Sequence, residues 1–147
     1  MPRAIQDFCR ETGQPEPDTP AATIRCVLES LALLYRHTLR QIEQLLGTPM
    51  ERLHIVGGGS RNELLNQFTA NATGILVLAG PVEATALGNV LVQAIALGHL
   101  PSLAAARDQV RRSFQVSSFQ ARDKSVWDAQ AARFDQLLNS APPGSHH

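Results

Sequence analysis

The chain has 147 residues, of which 44% are hydrophobic and 18% charged, with 13 basic and 13 acidic side chains and a formal net charge of zero. That length suits one globular domain with a sizeable core. The charge balance gives no general attraction to nucleic acid or to an anionic membrane surface.

Residues 1–18 read as a polar segment, with a short helix around Ile5 to Cys9 and prolines at 15 and 17. Thr19 is placed to cap a long helix whose first position is Pro20, where a missing N–H costs nothing. Ile24, Val27, Leu28, Leu31, Leu34, Tyr35, Ile42 and Leu45 carry the apolar stripe at helical spacing, and Gly47 followed by Pro49 ends the helix. A strand is expected over Leu53 to Val56. Gly57, Gly58 and Gly59 follow, and then a helix from Arg61 to Ala72 with Leu64, Leu65, Phe68 and Ala72 on its inner face, stopped by Gly74. Ile75 to Ala79 is an unbroken apolar run, the pattern of a strand buried on both faces as in parallel sheets. Gly80-Pro81 turns the chain into a helix over Glu83 to Leu97, closed by Gly98. A shorter helix begins at Pro101-Ser102 and ends near Arg112. Ser113 to Phe119 reads as an edge strand. A last helix over Lys124 to Asn139 carries Trp127, Ala131, Phe134 and Leu138, and the Pro/Gly-rich tail 140–147 reads as disordered.

This order predicts an α/β fold with few, mainly parallel strands flanked by helices. Only two strands, or three with the edge strand, are read, and two strands cannot cover a sheet core alone, so the sequence reads as part of a larger domain. The unit 19–139 would then expose part of the long helix's stripe and one edge of the Leu53–Val56 strand, favouring self-association.

The strand-to-helix turn is the most informative segment. Glycines without a Cβ let a ligand approach the backbone. Free amides at a helix N-terminus favour an anion, so the phosphate or ribose end of a nucleotide is the natural guest. Ser60 and Glu63 have the spacing of a capping box. A tight structural turn explains the same glycines, and that alternative stays open on spacing alone. The turn is not a Walker loop, because no Gly-Lys-Ser/Thr follows it, and no G-x-G-x-x-G fingerprint is present. Ser60 has no Gly-x-Ser-x-Gly elbow around it and is not read as a nucleophile.

Other features read as structural. Cys9 and Cys26 lack metal-type spacing, one bridge would add little to a secreted chain of this size, and Cys26 falls on an apolar stripe. His37, His54 and His99 show no ligand spacing. Arg107, Arg111, Arg112 and Arg122 are interrupted by Asp108 and Asp123 and read as a solvated face. Glu83 opens a helix as a dipole-favoured carboxylate. Gly88 lies inside that helix at a cost of roughly 1 kcal/mol relative to alanine, which suggests close backbone packing or simple tolerance. No signal peptide and no membrane-length apolar run is visible, so a cytoplasmic location is expected.

Ile55-Val56-Gly57-Gly58-Gly59-Ser60-Arg61-Asn62, followed by Gln67, Ala70, Thr73-Gly74 and then Gly80-Pro81-Val82-Glu83-Ala84-Thr85-Ala86-Leu87-Gly88-Asn89, resembles the C-terminal domain of the FGGY carbohydrate kinases. The helix segment Ile24 to Leu33 is similar to the long-helix signature of that family. The resemblance runs from about Ile5 to Phe134.

It implies an actin-like (ribonuclease H-like) ATPase fold and phosphorylation of a sugar by ATP with a divalent metal, usually magnesium. By the same resemblance Gly57, Gly58 and Gly59 lie against the adenosine and α-phosphate, Asn62 contacts the adenine edge, and Gly88 permits close approach to a neighbouring domain. Ser60 joins the expected nucleotide site through its main-chain nitrogen at the end of the glycine turn. The chain departs from the family's pattern at Asn71, where aspartate is common, and at Ile75 and Leu76, where a basic residue and proline are common. No residue matches the catalytic base or a metal ligand, and the sugar would be held by an N-terminal domain that this sequence does not contain. The expectation is an ATP/ADP-binding portion, inactive alone, whose partner is an N-terminal half or a second copy. A non-catalytic nucleotide-binding or interaction module from a split or degraded kinase gene is the alternative.

Overall fold

A computed structural model describes residues 1–140. Residues 141–147 of the tail that was read as disordered lie outside the described residues. Six α-helices and three short strands make an α/β arrangement: α1 (Pro2–Glu11), α2 (Pro20–Leu46), β1 (Arg52–Ile55), a 3-10 turn (Gly57–Arg61), α3 (Glu63–Thr73), β2 (Leu76–Ala79), α4 (Ala84–Ala96), α5 (Leu103–Ser113), β3 (Ser117–Phe119) and α6 (Lys124–Ser140).

Local backbone chemistry sets most boundaries as expected. The Thr19 hydroxyl accepts from the Ala22 amide, Pro20 is the first residue of α2, and Gly47 closes that helix in the left-handed conformation. Gly74 ends α3 in the same way, and Ser102 caps α5 through the Ala105 amide. Pro2 starts α1 earlier than the apolar pattern alone suggested.

The sheet has the order β1-β2-β3. β1 and β2 are parallel, with Leu53 opposite Val77 and Ile55 opposite Ala79. β3 is antiparallel to β2, with Phe119 opposite Val77 and Ser117 opposite Ala79. The sheet is therefore mixed rather than mainly parallel. Two helices separate β2 from β3, so the chain re-enters the sheet beside the end at which β2 finished. Val77 is fully buried and Ala79 nearly so, but Leu76 and Leu78 on the opposite face are only half-buried, so β2 is enclosed on one face and not on both as the unbroken apolar run suggested.

The core lies between α2, α3 and α6. Ala32, Phe68 and Ala72 are buried together, and Leu28, Leu33 and Trp127 pack on them. The small side chains of Ala32 and Ala72 let α2 and α3 approach closely. The Phe68 and Trp127 rings meet at 5.4 Å between centroids, and the Arg25 guanidinium lies 5.7 Å from the Phe68 centroid. The inner face of α3 differs from expectation. Leu64 is 49% exposed, whereas Asn66 and every residue from Phe68 to Thr73 are buried. α3 is enclosed around most of its circumference, so its Asn and Thr side chains bond within the protein instead of to water. Leu138 of α6 is likewise exposed, and Leu137 takes the inner position.

Arg36 joins three helices. Its Nη1 donates to the Ala72 carbonyl at 2.9 Å and to Asp128 Oδ1 at 2.7 Å. It thereby satisfies an end carbonyl of α3 and places a cation at the negative end of that helix. The Arg36 hydrogen bond holds the Asp128 carboxyl below the usual carboxylate range. Glu43 near the end of α2 accepts from the Met50 amide at 2.8 Å, and that bond lowers its pKa as well.

α4 buries none of its residues. A Cβ placed on Gly88 would meet nothing within 4 Å, so close packing inside this chain does not explain that glycine.

Candidate functional site

The glycine segment forms a 3-10 turn from Gly57 to Arg61, and α3 begins only at Glu63. This corrects the expectation that Ser60 caps the helix with Glu63. Asn62 is the cap, its Oδ1 accepting from the Leu65 amide at 3.0 Å. The Ser60 hydroxyl donates instead to the Gly57 carbonyl at 2.7 Å and tightens the 3-10 turn. Two cap-type side chains stand two residues apart, and the helix starts at the later one because the hydroxyl of the earlier one is bonded inside the turn.

Two turns meet at the carboxyl ends of the parallel strands. The Gly80 amide donates to the Ile55 carbonyl at 2.8 Å, and the Gly57 amide donates to the Pro81 carbonyl at 3.1 Å. The loops after β1 and β2 are thus bonded to each other. Gly57 has a φ of +76°, and Gly80 has a φ of +121° with the Gln115 carbonyl oxygen only 3.0 Å from where a Cβ would sit. Both positions require glycine on backbone grounds.

Gly58 is different. It is exposed, and a Cβ there would meet nothing within 4 Å. A 3-10 ladder begun at the Val56 carbonyl offers no acceptor to its first two amides. The first, on Gly57, is already taken by Pro81, which corrects the picture of a row of free amides. The second is on Gly58, which is exposed like Gly59 beside it. Asn62, expected at an adenine edge, spends its side-chain oxygen on the cap and keeps its amide N–H₂ group at the exposed start of α3.

Asn66 supports this turn from below, and sequence reasoning missed it. It is fully buried, its Nδ2 donates to the Ser60 carbonyl at 3.0 Å, and its Oδ1 has no partner. The only signal in the sequence was a polar residue one turn past the cap. Asn71 was noted only as a departure from a family pattern. Its Oδ1 accepts from Gln67 Nε2 and from the Arg122 amide, both at 2.8 Å, and so fixes the segment between β3 and α6 to α3.

The remaining candidates fall on solvated surface. His37 bonds Asp135 at 2.9 Å, and His54 and His99 are exposed. Arg111 pairs with Asp108 and Glu29 with Arg25. Among the described residues no group of three or more His, Cys, Asp or Glu gathers as a metal site, and no helix is long and apolar enough to cross a membrane. No metal ligand is assigned in this chain. A cavity of about 540 Å³ lies away from the glycine turn, bordered by Cys9, Cys26, Trp127 and Phe134 among others.

Residues 1–97 match the FGGY family of carbohydrate kinases, C-terminal domain, and the chain belongs to that family. It is similar to three rhamnulokinases. That of Bacteroides thetaiotaomicron is 48% identical over 138 residues, covering 94% of this chain and 28% of that protein. That of Pectobacterium atrosepticum is 44% identical over 146 residues, covering 98% and 29%. That of Bacillus subtilis is 42% identical over 123 residues, covering 84% and 25%. The chain therefore spans between a quarter and three tenths of the length of these relatives.

Proposed function

We propose that this chain is the ATP-binding portion of a rhamnulokinase-like carbohydrate kinase, with residues 19–139 forming a partial actin-like ATPase domain behind the segment 1–18. The observation that carries this reading is the joining of the two loops at the carboxyl ends of β1 and β2 through Gly57–Pro81 and Gly80–Ile55. In open α/β sheets ligands lie in the crevice outside those strand ends. Gly58, exposed and with nothing within 4 Å of where a Cβ would sit, is the open part of that rim, and the exposed Gly59 lies beside it.

ATP, when bound, supplies the γ-phosphoryl group that passes to a sugar hydroxyl, with magnesium neutralising charge on the phosphates. The part played by this chain is binding. Gly57, Gly58 and Gly59 admit the adenosine and α-phosphate to the backbone, Ser60 braces the turn, and Asn62 offers its amide N–H₂ group to the base. The sugar, the catalytic base and the metal ligands belong to the remainder of a complete kinase, supplied by an N-terminal half. Alone, the chain binds nucleotide and transfers nothing.

Titration calorimetry with ATP and ADP tests the reading. Saturable heat from the folded chain is expected, together with no phosphorylation of rhamnulose until an N-terminal half is added. Absence of heat at millimolar nucleotide, or turnover by the chain alone, would overturn it. A vacant interaction module is the second reading, favoured by the Gly57 amide being engaged within the protein already. The same titration separates the two.

A further inference from the structure

We propose that Cys9 and Cys26 form a reversible intramolecular disulfide that staples α1 to α2, with a low-molecular-weight disulfide of the glutathione type as oxidant. Both side chains border the same cavity, Cys9 buried and Cys26 half-buried. The Cys26 thiol lies near enough across that cavity to act on the titration of Cys9.

The approach of the thiols is held in place by the segment that turns α1 back onto α2. The Gln14 amide donates to the Cys9 carbonyl at 2.7 Å, and Gln6 Nε2 donates to the Pro17 carbonyl at 2.8 Å. The Arg10 guanidinium grips both oxygens of Glu16 at 2.9 and 2.7 Å. From α6, Arg133 donates to the Gly13 carbonyl at 3.0 Å. These bonds hold the backbone on both sides of the pair, so the two thiols keep their places on the cavity wall.

The two cysteines are unlike, and that sets the order of events. Burial, and then the neighbouring Cys26 thiol, push the Cys9 thiol above its ordinary pKa. The half-buried Cys26 is the more accessible sulfur and attacks first. Its thiolate cleaves the S–S bond of the small disulfide, forming a mixed disulfide and releasing one small thiolate. Cys9, on losing its proton, attacks the Cys26 sulfur and releases the second small thiol. The protein gives up two electrons and two protons, and the small disulfide is reduced to two thiols. The cavity beside Cys26 gives the oxidant room to enter.

The test incubates the native chain with oxidised glutathione, blocks remaining thiols with an alkylating agent, and maps peptides without reduction. A linked peptide joining Cys9 to Cys26 is expected. It should come with a rise in Tm of about 5–10 °C for closing a loop of this length, reversed by dithiothreitol. In C26S, whose site is half-buried and whose fold is checked by circular dichroism, the same treatment should leave the Tm unchanged. Recovery of both cysteines alkylated, arrest at a Cys26–glutathione adduct, or only intermolecular bridges would overturn the proposal. So would a linked product that melts no higher than the reduced chain.

Discussion

Gly57 and Gly58 stand side by side and answer to different constraints. Gly57 sits at positive φ with its amide committed to Pro81, whereas Gly58 has open space where a Cβ would be. Gly57→Val should destabilise the fold by about 1–2 kcal/mol, the cost of a left-handed residue that carries a Cβ. Gly58→Val should leave thermal stability almost unchanged while lowering ATP affinity about tenfold or more, because only a guest meets the new side chain. Equal nucleotide affinity in wild type and Gly58→Val would remove Gly58 from the site. The glycine run was plain in the sequence, but its internal division of labour was not, since that depends on Pro81, which is distant along the chain. Ser60 was misread for a related reason. Cap chemistry is local and legible, as Thr19, Gly47 and Gly74 show. When two cap-type residues compete two positions apart, the shape of the preceding turn decides between them.

At the level of elements, the helices were legible because their punctuation is local, while strand direction was not. The antiparallel sense of β3 follows from two intervening helices and is carried by no residue of Ser117–Phe119 itself. The burial of α3 was also hidden, since polar Asn66, Thr69, Asn71 and Thr73 do not announce an enclosed helix. The contacts that hold α2 to its neighbours are ionic as well as apolar. Asp128, lowered chiefly by its hydrogen bond to Arg36, and Glu43, lowered chiefly by the Met50 amide, both have folded-state pKa values below their unfolded ones. Such groups bind protons more readily when the chain is unfolded. Their contribution is complete above the unfolded pKa of about 4 and is lost as pH falls through the lower folded value. The denaturation midpoint should drop progressively below about pH 5, and Asp128→Asn should flatten that drop while lowering the midpoint at neutral pH. An acid limb of the same steepness in the variant would mean that other carboxylates govern it.

For the whole molecule, the most telling property is what stays uncovered. Val90 is 63% and Leu97 73% exposed on and beside α4, Leu45 is 87% exposed at the end of α2, and the outer edge of β1 is unpaired among the described residues. Apolar helix faces together with a bare strand edge favour association. Sedimentation velocity should show a sedimentation coefficient that rises with concentration, and Val90→Lys should suppress that rise without lowering the Tm. A single sharp monomer species at high concentration would refute the expectation. The enclosed α3 has a different consequence. The rim of the crevice is an extension of the best-packed helix in the molecule, tied at its base by Asn66 and at its far end by Arg36. A nucleotide docking there, as proposed, would meet a platform already held by hydrogen bonds. Little motion would have to be quenched on arrival, so under the proposed function the affinity would be set by the contacts made and not by the freezing of a loop.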